Sequence, residues 1–271
     1  MRQRILRRLS DGLRRQDWAG VAIDFAIVVF GVFVGIQASN LNSSRIDRAL
    51  ASEYLERIEA DLNSIITTAQ NQRQFEKIKS SEVVAALAMT QQQPTDEKSL
   101  RLGHLLTAIT SRLSPNFESP TFSEIQSSGR LSLIKDTRLR IQLSAYFARL
   151  QYLRSAIGRN NDSYAESFAD FLRREGVGAG FAEPDTVSDV AISDVEERIS
   201  ALSRDRFGER DIRAHSSALG LPPYHPFWER LRANLTWRGV GAVANENLLN
   251  MMVADASKMS REIRRQRPAD R

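Results

Sequence analysis

The chain has 271 residues, of which 42% are hydrophobic and 26% are charged, a composition that excludes a wholly disordered protein. Residues 1–17 hold six Arg against two Asp, and residues 258–271 hold six basic against two acidic side chains. Each end therefore carries a net charge of +4. Since the whole chain carries +5, the body between the two ends carries about −3. Since a nucleic-acid-binding domain carries a basic face of its own, nucleic acid is excluded as the expected partner.

The residue types that usually carry enzymatic chemistry are sparse. The chain has no Cys and only three His, which lie far apart. This excludes disulfides, thiolate catalysis and Cys-ligated zinc, and it leaves no His spacing typical of a metal site. Paired carboxylates and a Ser–His arrangement are also missing from the pattern. The sequence therefore predicts no cofactor, no metal and no enzymatic activity.

Residues 1–17 form a basic segment with regularly spaced apolar side chains. Ile5, Leu6, Leu9 and Leu13 share one face of a helix, and arginines surround the remainder. Such a cytoplasmic amphipathic segment would lie along an anionic membrane surface, since apolar burial and charge both favour it. The alternative is a basic tail without fixed structure.

Residues 18–38 form a 21-residue apolar run interrupted by Asp24 and, near its end, by Gln37. At about 1.5 Å per residue, a helix of this length spans roughly 31 Å, the thickness of the hydrocarbon core of a bilayer. A cleaved signal peptide fits less well, because the run is long and Ile36-Gln37-Ala38 is a poor cleavage motif. A buried core helix rarely follows so many arginines. We therefore predict a transmembrane helix over 18–41.

The flanking charges predict the orientation of this helix. Six arginines precede it, whereas its near C-terminal flank offers only Arg45 and Arg48, balanced by Asp47. Because cytoplasmic flanks carry the excess of Lys and Arg, the N-terminus is expected in the cytoplasm. We predict a single-pass protein of a bacterial inner membrane, with the lipid bilayer as a partner and the domain after the span in the periplasm.

Two features inside the predicted span are candidates for function. Gly31 and Gly35 form a GxxxG pair, which lets two membrane helices approach closely, although such pairs also arise by chance. Asp24 lies six residues after Trp18, and carboxylates inside a membrane commonly serve in proton relays or partner pairing. The alternative for Asp24 is an acid near the interface that water or a neighbouring Arg satisfies.

Residues 42–265 are predicted to form a helical extracytoplasmic domain, followed by a basic tail over 266–271. No Pro or Gly occurs between Ile36 and Met89, so the spanning helix is expected to continue as one long helix. Apolar residues at alternating spacings of three and four follow, namely Leu55, Ile58, Leu62, Ile65 and Ala69. This pattern fits a short coiled coil or, in preference, one helix of a bundle.

Further helices are predicted from apolar stripes and capping residues. We expect one near 96–113, and a short one that opens at the capping box Thr121-Phe122-Ser123-Glu124 and stops at Gly129. Another begins near Asp136 and carries the seam Leu143, Tyr146, Leu150, Leu153 and Ile157.

The last third of the chain is expected to hold two more helices. Gly176, Gly178 and Gly180 follow no strand, so they indicate a helix stop and linker rather than a phosphate loop. A capping box at Ser193–Glu196 predicts a charged helix, and the final helix is expected over about 239–265. Its predicted core residues are Val240, Val243, Leu248, Met251, Met252, Met259 and Ile263. Since strand patterns are scarce, we predict an all-α fold: one transmembrane helix followed by an elongated antiparallel helical bundle.

Two stretches of the chain carry a shared motif. The first comprises Asp24, Gly31, Gln37-Ala38-Ser39-Asn40-Leu41-Asn42, Glu53-Tyr54-Leu55 and Asp61-Leu62, and the second is Thr121-Phe122-x-Glu124-x5-Arg130-Leu131-x-Leu133-Ile134. They resemble an uncharacterised bacterial family of single-span membrane proteins, a domain-of-unknown-function family with a Gln-x-x-Asn-x-Asn exit motif. That family often has Glu in place of Asp24 and Asn in place of Ser39. The resemblance implies a membrane location and a helical domain, and it brings no assigned activity.

Gln37 and Asn40 lie where the predicted span leaves the membrane. They either hydrogen-bond between adjacent helices, which suits a homo-oligomer or a partner membrane protein, or are solvated by lipid headgroups. We expect a non-enzymatic interaction or scaffold module. The alternative is a subunit of an ion-coupled or force-transmitting inner-membrane complex that uses Asp24, although the peptidoglycan-binding pattern of stator-type subunits is missing. A hydrolase or transferase in the outer domain has no supporting motif.

Overall fold

The computed structural model describes residues 18–93, 95–178 and 216–266, and all regular secondary structure in these ranges is helical. Its α-helices are α1 (Trp18–Met89), α2 (Asp96–Thr110), α3 (Pro120–Ser127), α4 (Thr137–Asn160), α5 (Ser167–Arg174) and α6 (Pro226–Gln266). A π-helix (Asn161–Glu166) joins α4 to α5, and short 3₁₀ helices cover Arg130–Leu133 and Ser217–Gly220. The all-helical prediction is confirmed, as is the continuation of the first helix to Met89.

The chain divides into two compact units, Met1–Tyr54 and Leu55–Arg271. The described part of the first unit is residues 18–54 of α1, which begin with the apolar run 18–38. Large hydrophobic side chains from Ile23 to Ile36 are exposed, and an 18-residue window of mean hydropathy 2.0 has none of its residues buried. In length and composition this helix is able to cross a membrane.

The second unit contains the hydrophobic core. The predicted seams of α1 and α4 are both buried, from Leu55 to Ala69 and from Leu143 to Ile157. A large apolar cluster includes Val83, Ala86, Leu102, Leu106, Ile109, Phe168, Phe171, Leu172, Phe227, Trp228, Leu231 and Leu235. Burying each such side chain contributes roughly 1.5–3 kcal/mol, so these apolar stripes are what hold the helices together.

Within this unit, the later part of α1 contacts α6 along its length. The contacting pairs are Glu59 with Arg264, Arg73 with Asn250, Glu76 with Asn245, and Val83 with Gly239. Moving along α1, the partner on α6 comes progressively earlier in the chain. The two helical segments therefore run in opposite directions.

The short helix α3 starts before the predicted capping box. Its N-cap is Ser119, whose side chain accepts a hydrogen bond from the main-chain N of Phe122 at 3.0 Å. Pro120 occupies the first turn, where a missing N–H costs nothing. The box at Thr121–Glu124 thus lies inside the helix. Two neighbouring boundaries come closer to prediction, because α2 ends at Thr110 and α4 is capped by Asp136.

The final helix α6 differs more from its prediction. It begins at Pro226 rather than near 239, so Gly239 and Gly241 lie inside the helix. Val83 packs closely on Gly239, and Tyr164 packs closely on Gly241. Val240 and Val243 were predicted to be buried, but they are 44% and 57% exposed.

The buried stripe of α6 instead follows a regular three-four spacing that includes two polar residues. Its members are Leu231, Leu235, Arg238, Ala242, Asn245, Leu249, Met252, Ala256, Met259 and Ile263. The predicted core residues Met252, Met259 and Ile263 belong to this stripe, whereas Leu248 and Met251 are half-buried.

The predicted helix stop at Gly176 is present. Gly176 has φ 71°, and the main-chain N of Val177 donates to the carbonyl of Leu172 at 2.9 Å, as in a Schellman cap. Gly180 and the helix predicted from Ser193–Glu196 lie outside the described residues, as do the basic segment 1–17 and most of the tail 266–271.

Candidate functional site

The residues predicted to act inside the membrane are all exposed on α1. Asp24, Gly31, Gly35, Gln37 and Asn40 each face outward. A Cβ built on Gly31 or Gly35 meets no heavy atom of the described residues within 4 Å. This surface therefore has room for a lipid chain or a second helix.

The five residues fall on two different faces of the helix. At about 100° per residue, Asp24, Gly31 and Gly35 lie within a sector of about 40°. Gln37 and Asn40 lie on roughly the opposite side. One contact between two straight helices therefore cannot use all five. We call the first set, Asp24, Gly31 and Gly35, the glycine–aspartate face.

The structure brings the two motif stretches of the sequence together in the second unit. Asp61 of α1 accepts hydrogen bonds from the Ser119 hydroxyl at 2.6 Å and from the main-chain N of Thr121 at 3.1 Å. A carboxylate at a helix N-terminus is favoured by the helix dipole. Arg57, one turn earlier, pairs with Glu124 at 2.6 Å. These contacts fix α3 against α1.

A cluster of polar side chains lies inside the second unit, where α1, α6 and the π-helix meet. Glu76 and Asn245 are each 2% exposed, and Asn161 is 8% exposed. The Glu76 Oε1 accepts from Gln72 Nε2 at 3.0 Å and from Asn245 Nδ2 at 3.3 Å. Asn245 Nδ2 also donates to Asn161 Oδ1 at 3.0 Å. Because buried polar groups are costly unless paired, the cluster depends on these hydrogen bonds to remain buried.

Two buried cations border the polar cluster and bind the end of α2. Arg238 donates to the main-chain carbonyls of Ile109 at 3.0 Å and Ser111 at 3.4 Å. Lys79 donates to the Ala108 carbonyl at 2.8 Å and to Glu82 at 2.9 Å. The last carbonyls of a helix lack partners within it. Both cations therefore act as C-terminal caps of α2.

Burial also lowers the pKa of Arg238. Desolvation lowers the pKa of its guanidinium group, and the negative charges of Glu76 and Glu82 act in the opposite direction. An arginine remains protonated even so. The polar cluster thus contains a permanent positive charge that is 3% exposed.

Comparisons with protein-family models, with curated proteins and with solved structures return no match. Function has to be argued from the geometry of the chain itself.

That geometry offers little to a metal ion. Within the described ranges, no three or more His, Cys, Asp or Glu residues come close enough to hold one. The polar cluster consists of amides, one carboxylate and cations, without a nucleophile beside a base. What it is able to do chemically is exchange a proton at Glu76.

Sequence reasoning missed this polar cluster. Arg238 and Asn245 occupy the buried three-four stripe of α6, and extending that stripe through polar residues would have placed both inside. The pattern for Glu76 is similar, since it follows Ala69 and Gln72 at spacings of three and four on α1. The π-helix has no comparable signal in the sequence.

Proposed function

We propose that this chain is a single-pass protein of a bacterial inner membrane that acts by binding a second copy of itself or a partner membrane protein, not by catalysis. Its basic N-terminus would face the cytoplasm and its helical domain, an antiparallel bundle, the periplasm. The arginines that precede α1 support this orientation. The antiparallel contacts between α1 and α6 support the bundle.

The observation that carries this proposal is the exposed apolar surface of α1. Ten large hydrophobic side chains between Ile23 and Ile36 are exposed. These side chains are between 47% and 71% exposed, and fully burying one exposed side chain of this size is worth roughly 1.5–3 kcal/mol, so covering all ten is strongly favourable. A surface of this kind needs lipid or protein to cover it.

The glycine–aspartate face is the part of this surface best suited to a partner helix. Two glycines one turn apart allow backbones to approach closely in a membrane. Asp24 on the same face would be costly in hydrocarbon, and a polar group of a partner helix at that level would lower the cost. A homo-oligomer satisfies both conditions with one surface.

Single-cysteine labelling tests the topology directly, because the chain has no native Cys to interfere. Ser10→Cys marks the basic end and Ala254→Cys marks an exposed position of α6. In intact spheroplasts, a membrane-impermeant maleimide is expected to label Ala254→Cys and not Ser10→Cys, and inside-out vesicles should reverse this. Labelling of Ser10→Cys in spheroplasts would contradict the orientation, and recovery of both variants in the soluble fraction would contradict the anchor.

Chemical cross-linking in membranes tests the oligomer. The double variant Gly31→Ile/Gly35→Ile fills the glycine–aspartate face and is expected to reduce the cross-linked dimer or the co-purified partner. Ala26→Ile is the matched control, since it adds an Ile side chain on the opposite face. Equal cross-linking of the double variant and the parent would exclude this face as the contact.

A second candidate function is that of a subunit in an ion-coupled complex. The presence of Asp24 on the same face as the two glycines favours it, because a titrating acid has to face a protein partner to be useful. Asp24→Asn should abolish activity of such a complex, and Asp24→Glu should retain it. An Asp24→Asn strain that grows and behaves like the parent would leave only the scaffold function.

A further inference from the structure

Glu76 is a buried carboxylic acid with an incomplete set of hydrogen bonds. Its Oε1 accepts from two neutral amides, those of Gln72 and Asn245. Its Oε2 has no donor among the residues that the structure describes. Because the side chain is 2% exposed, water has little access to make up the difference. An ionised carboxylate in this setting would be poorly solvated.

The nearby cations do not repair this deficit. Arg238 of α6 and Lys79 of α1 both attract the charge of Glu76 through space, and Glu82 acts on Arg238 in turn. Arg238 Nε and Nη2 and Lys79 Nζ donate to main-chain carbonyls at the end of α2 and to Glu82. The π-helix contributes the neutral Asn161, which accepts a hydrogen bond from Asn245. Burial outweighs these attractions and raises the pKa of Glu76.

Asn245 connects Glu76 to the π-helix. Its Nδ2 has two hydrogens and serves both Glu76 Oε1 and Asn161 Oδ1, while its Oδ1 accepts from Asn160 Nδ2 at 3.0 Å. One turn earlier on α6, Gly241 packs against Tyr164 of the π-helix. A change in the acceptor strength of Glu76 therefore reaches the π-helix through a single side chain. π-Helical turns occur frequently at functional sites.

We propose that Glu76 is a proton-binding site whose occupancy sets how firmly α1, α6 and the π-helix are held together. The proton comes from water and adds to Oε2, which turns an unmatched acceptor into a donor. Gln72, one turn earlier on the same helix, offers a second buried acceptor that lacks a donor in the described part of the chain, its Oε1. A proton shared between Oε2 and this oxygen would satisfy both groups, which the carboxylate is unable to do. This site does not depend on the proposed membrane partner.

The direction of the pH effect follows from linkage between proton binding and folding. A carboxyl group whose pKa is raised by folding binds more protons in the folded than in the unfolded chain. Its contribution to stability is complete below its ordinary pKa, and it is lost as the pH rises through the raised pKa. The contact between α6 and the π-helix should therefore loosen as the pH rises. A carboxylate held by an ion pair behaves in the opposite way.

Hydrogen exchange of the full-length protein in detergent micelles measures this effect. Peptides that cover the π-helix and the middle of α6 are followed between about pH 5 and about pH 8, with rates corrected for the intrinsic effect of pH. In the parent, the opening equilibrium of these peptides should rise about tenfold for each unit by which the pKa of Glu76 is raised. In Glu76→Gln, which is neutral at every pH, this rise should disappear.

Glu59→Gln provides the matched control. Glu59 lies on the same helix and is 9% exposed, but it is hydrogen-bonded to Arg264. Removing it takes away one negative charge and should leave the rise with pH intact. If Glu76→Gln keeps the same pH dependence as the parent, or if Glu59→Gln loses it equally, Glu76 is not the proton-binding site.

Infrared spectroscopy keeps the proposal testable if Glu76→Gln fails to fold. An Asp24→Asn background removes the membrane acid as a source of signal. A protonated carboxylic acid with a raised pKa gives a carbonyl stretching band that persists above the ordinary carboxyl range of about pH 4–4.5. The presence of this band above about pH 5 supports the proposal, and its absence between about pH 5 and about pH 8 overturns it.

Discussion

Replacing Gly241 by Ala tests the close contact between α6 and the π-helix. A Cβ at this position would lie 2.6 Å from the Cβ of Tyr164 and 2.7 Å from two of its ring atoms. The Cβ of Tyr164 is fixed to the backbone, so the π-helix itself has to move. Forcing a methyl group into a packed core costs about 1–3 kcal/mol. Disturbing the stacking of Tyr164 on Trp237, whose ring centres are 6.3 Å apart, adds about 0.5–1.5 kcal/mol.

The higher helix propensity of Ala offsets part of this loss of stability. Ala is favoured over Gly in a helix interior by about 1 kcal/mol, so the steric and stacking costs together leave a net loss of about 0.5–3.5 kcal/mol. Gly158→Ala is the matched control, because it makes the same substitution in α4 where a Cβ meets nothing within 4 Å of the described residues. That variant should be more stable than the parent. Urea unfolding of the full-length protein, followed by circular dichroism, gives both values. If Gly241→Ala matches Gly158→Ala in stability, the close contact is wrong.

Three other substitutions and one control separate the forces that hold the second unit together, each measured by urea unfolding. Leu62→Ala, at a side chain with no exposure, should cost about 2–5 kcal/mol, and a smaller loss would mean that the site collapses around the cavity. Asp136→Ala removes the N-cap of α4 and should cost about 1 kcal/mol, whereas an unchanged midpoint would refute the cap. Asp61→Ala removes two hydrogen bonds to the start of α3 and should cost about 1–3 kcal/mol. As its control, Glu124→Ala removes the exposed ion pair with Arg57 and should cost less.

Regular apolar spacing was enough to predict the seams that build the core. Leu55 to Ala69 and Leu143 to Ile157 are buried as expected, because a three-four spacing places side chains on one face of any α-helix. The start of α4 was also predictable, because it depends on a local capping contact. Asp136 accepts from the main-chain N of Leu139 at 3.0 Å, a contact that requires only neighbouring residues.

The three-four spacing of α6 marks Arg238 and Asn245 as buried positions, but it does not show which groups pair with them. Val240 and Val243 are apolar, yet the buried stripe of α6 passes through Arg238 and Asn245, because the polar partners of these two side chains lie on α1, α2 and the π-helix. In the predicted span, the helical angles of Asp24 and Gly31 follow from the sequence. What covers that face does not, because it belongs to another molecule.

The π-helix shifts the phase of the helical run from Thr137 to Arg174. In the sequence, the buried positions Ile157, Asn161, Ala165 and Phe168 keep an unbroken three-four spacing. A π-helical turn takes more residues than an α-helical turn, so the apolar stripe of α5 points in a different direction from that of α4. One run of chain thereby serves two sets of neighbours. Loss of a single residue here would either convert the π-helix into an α-helix or rotate Phe168 by about 100° out of the core.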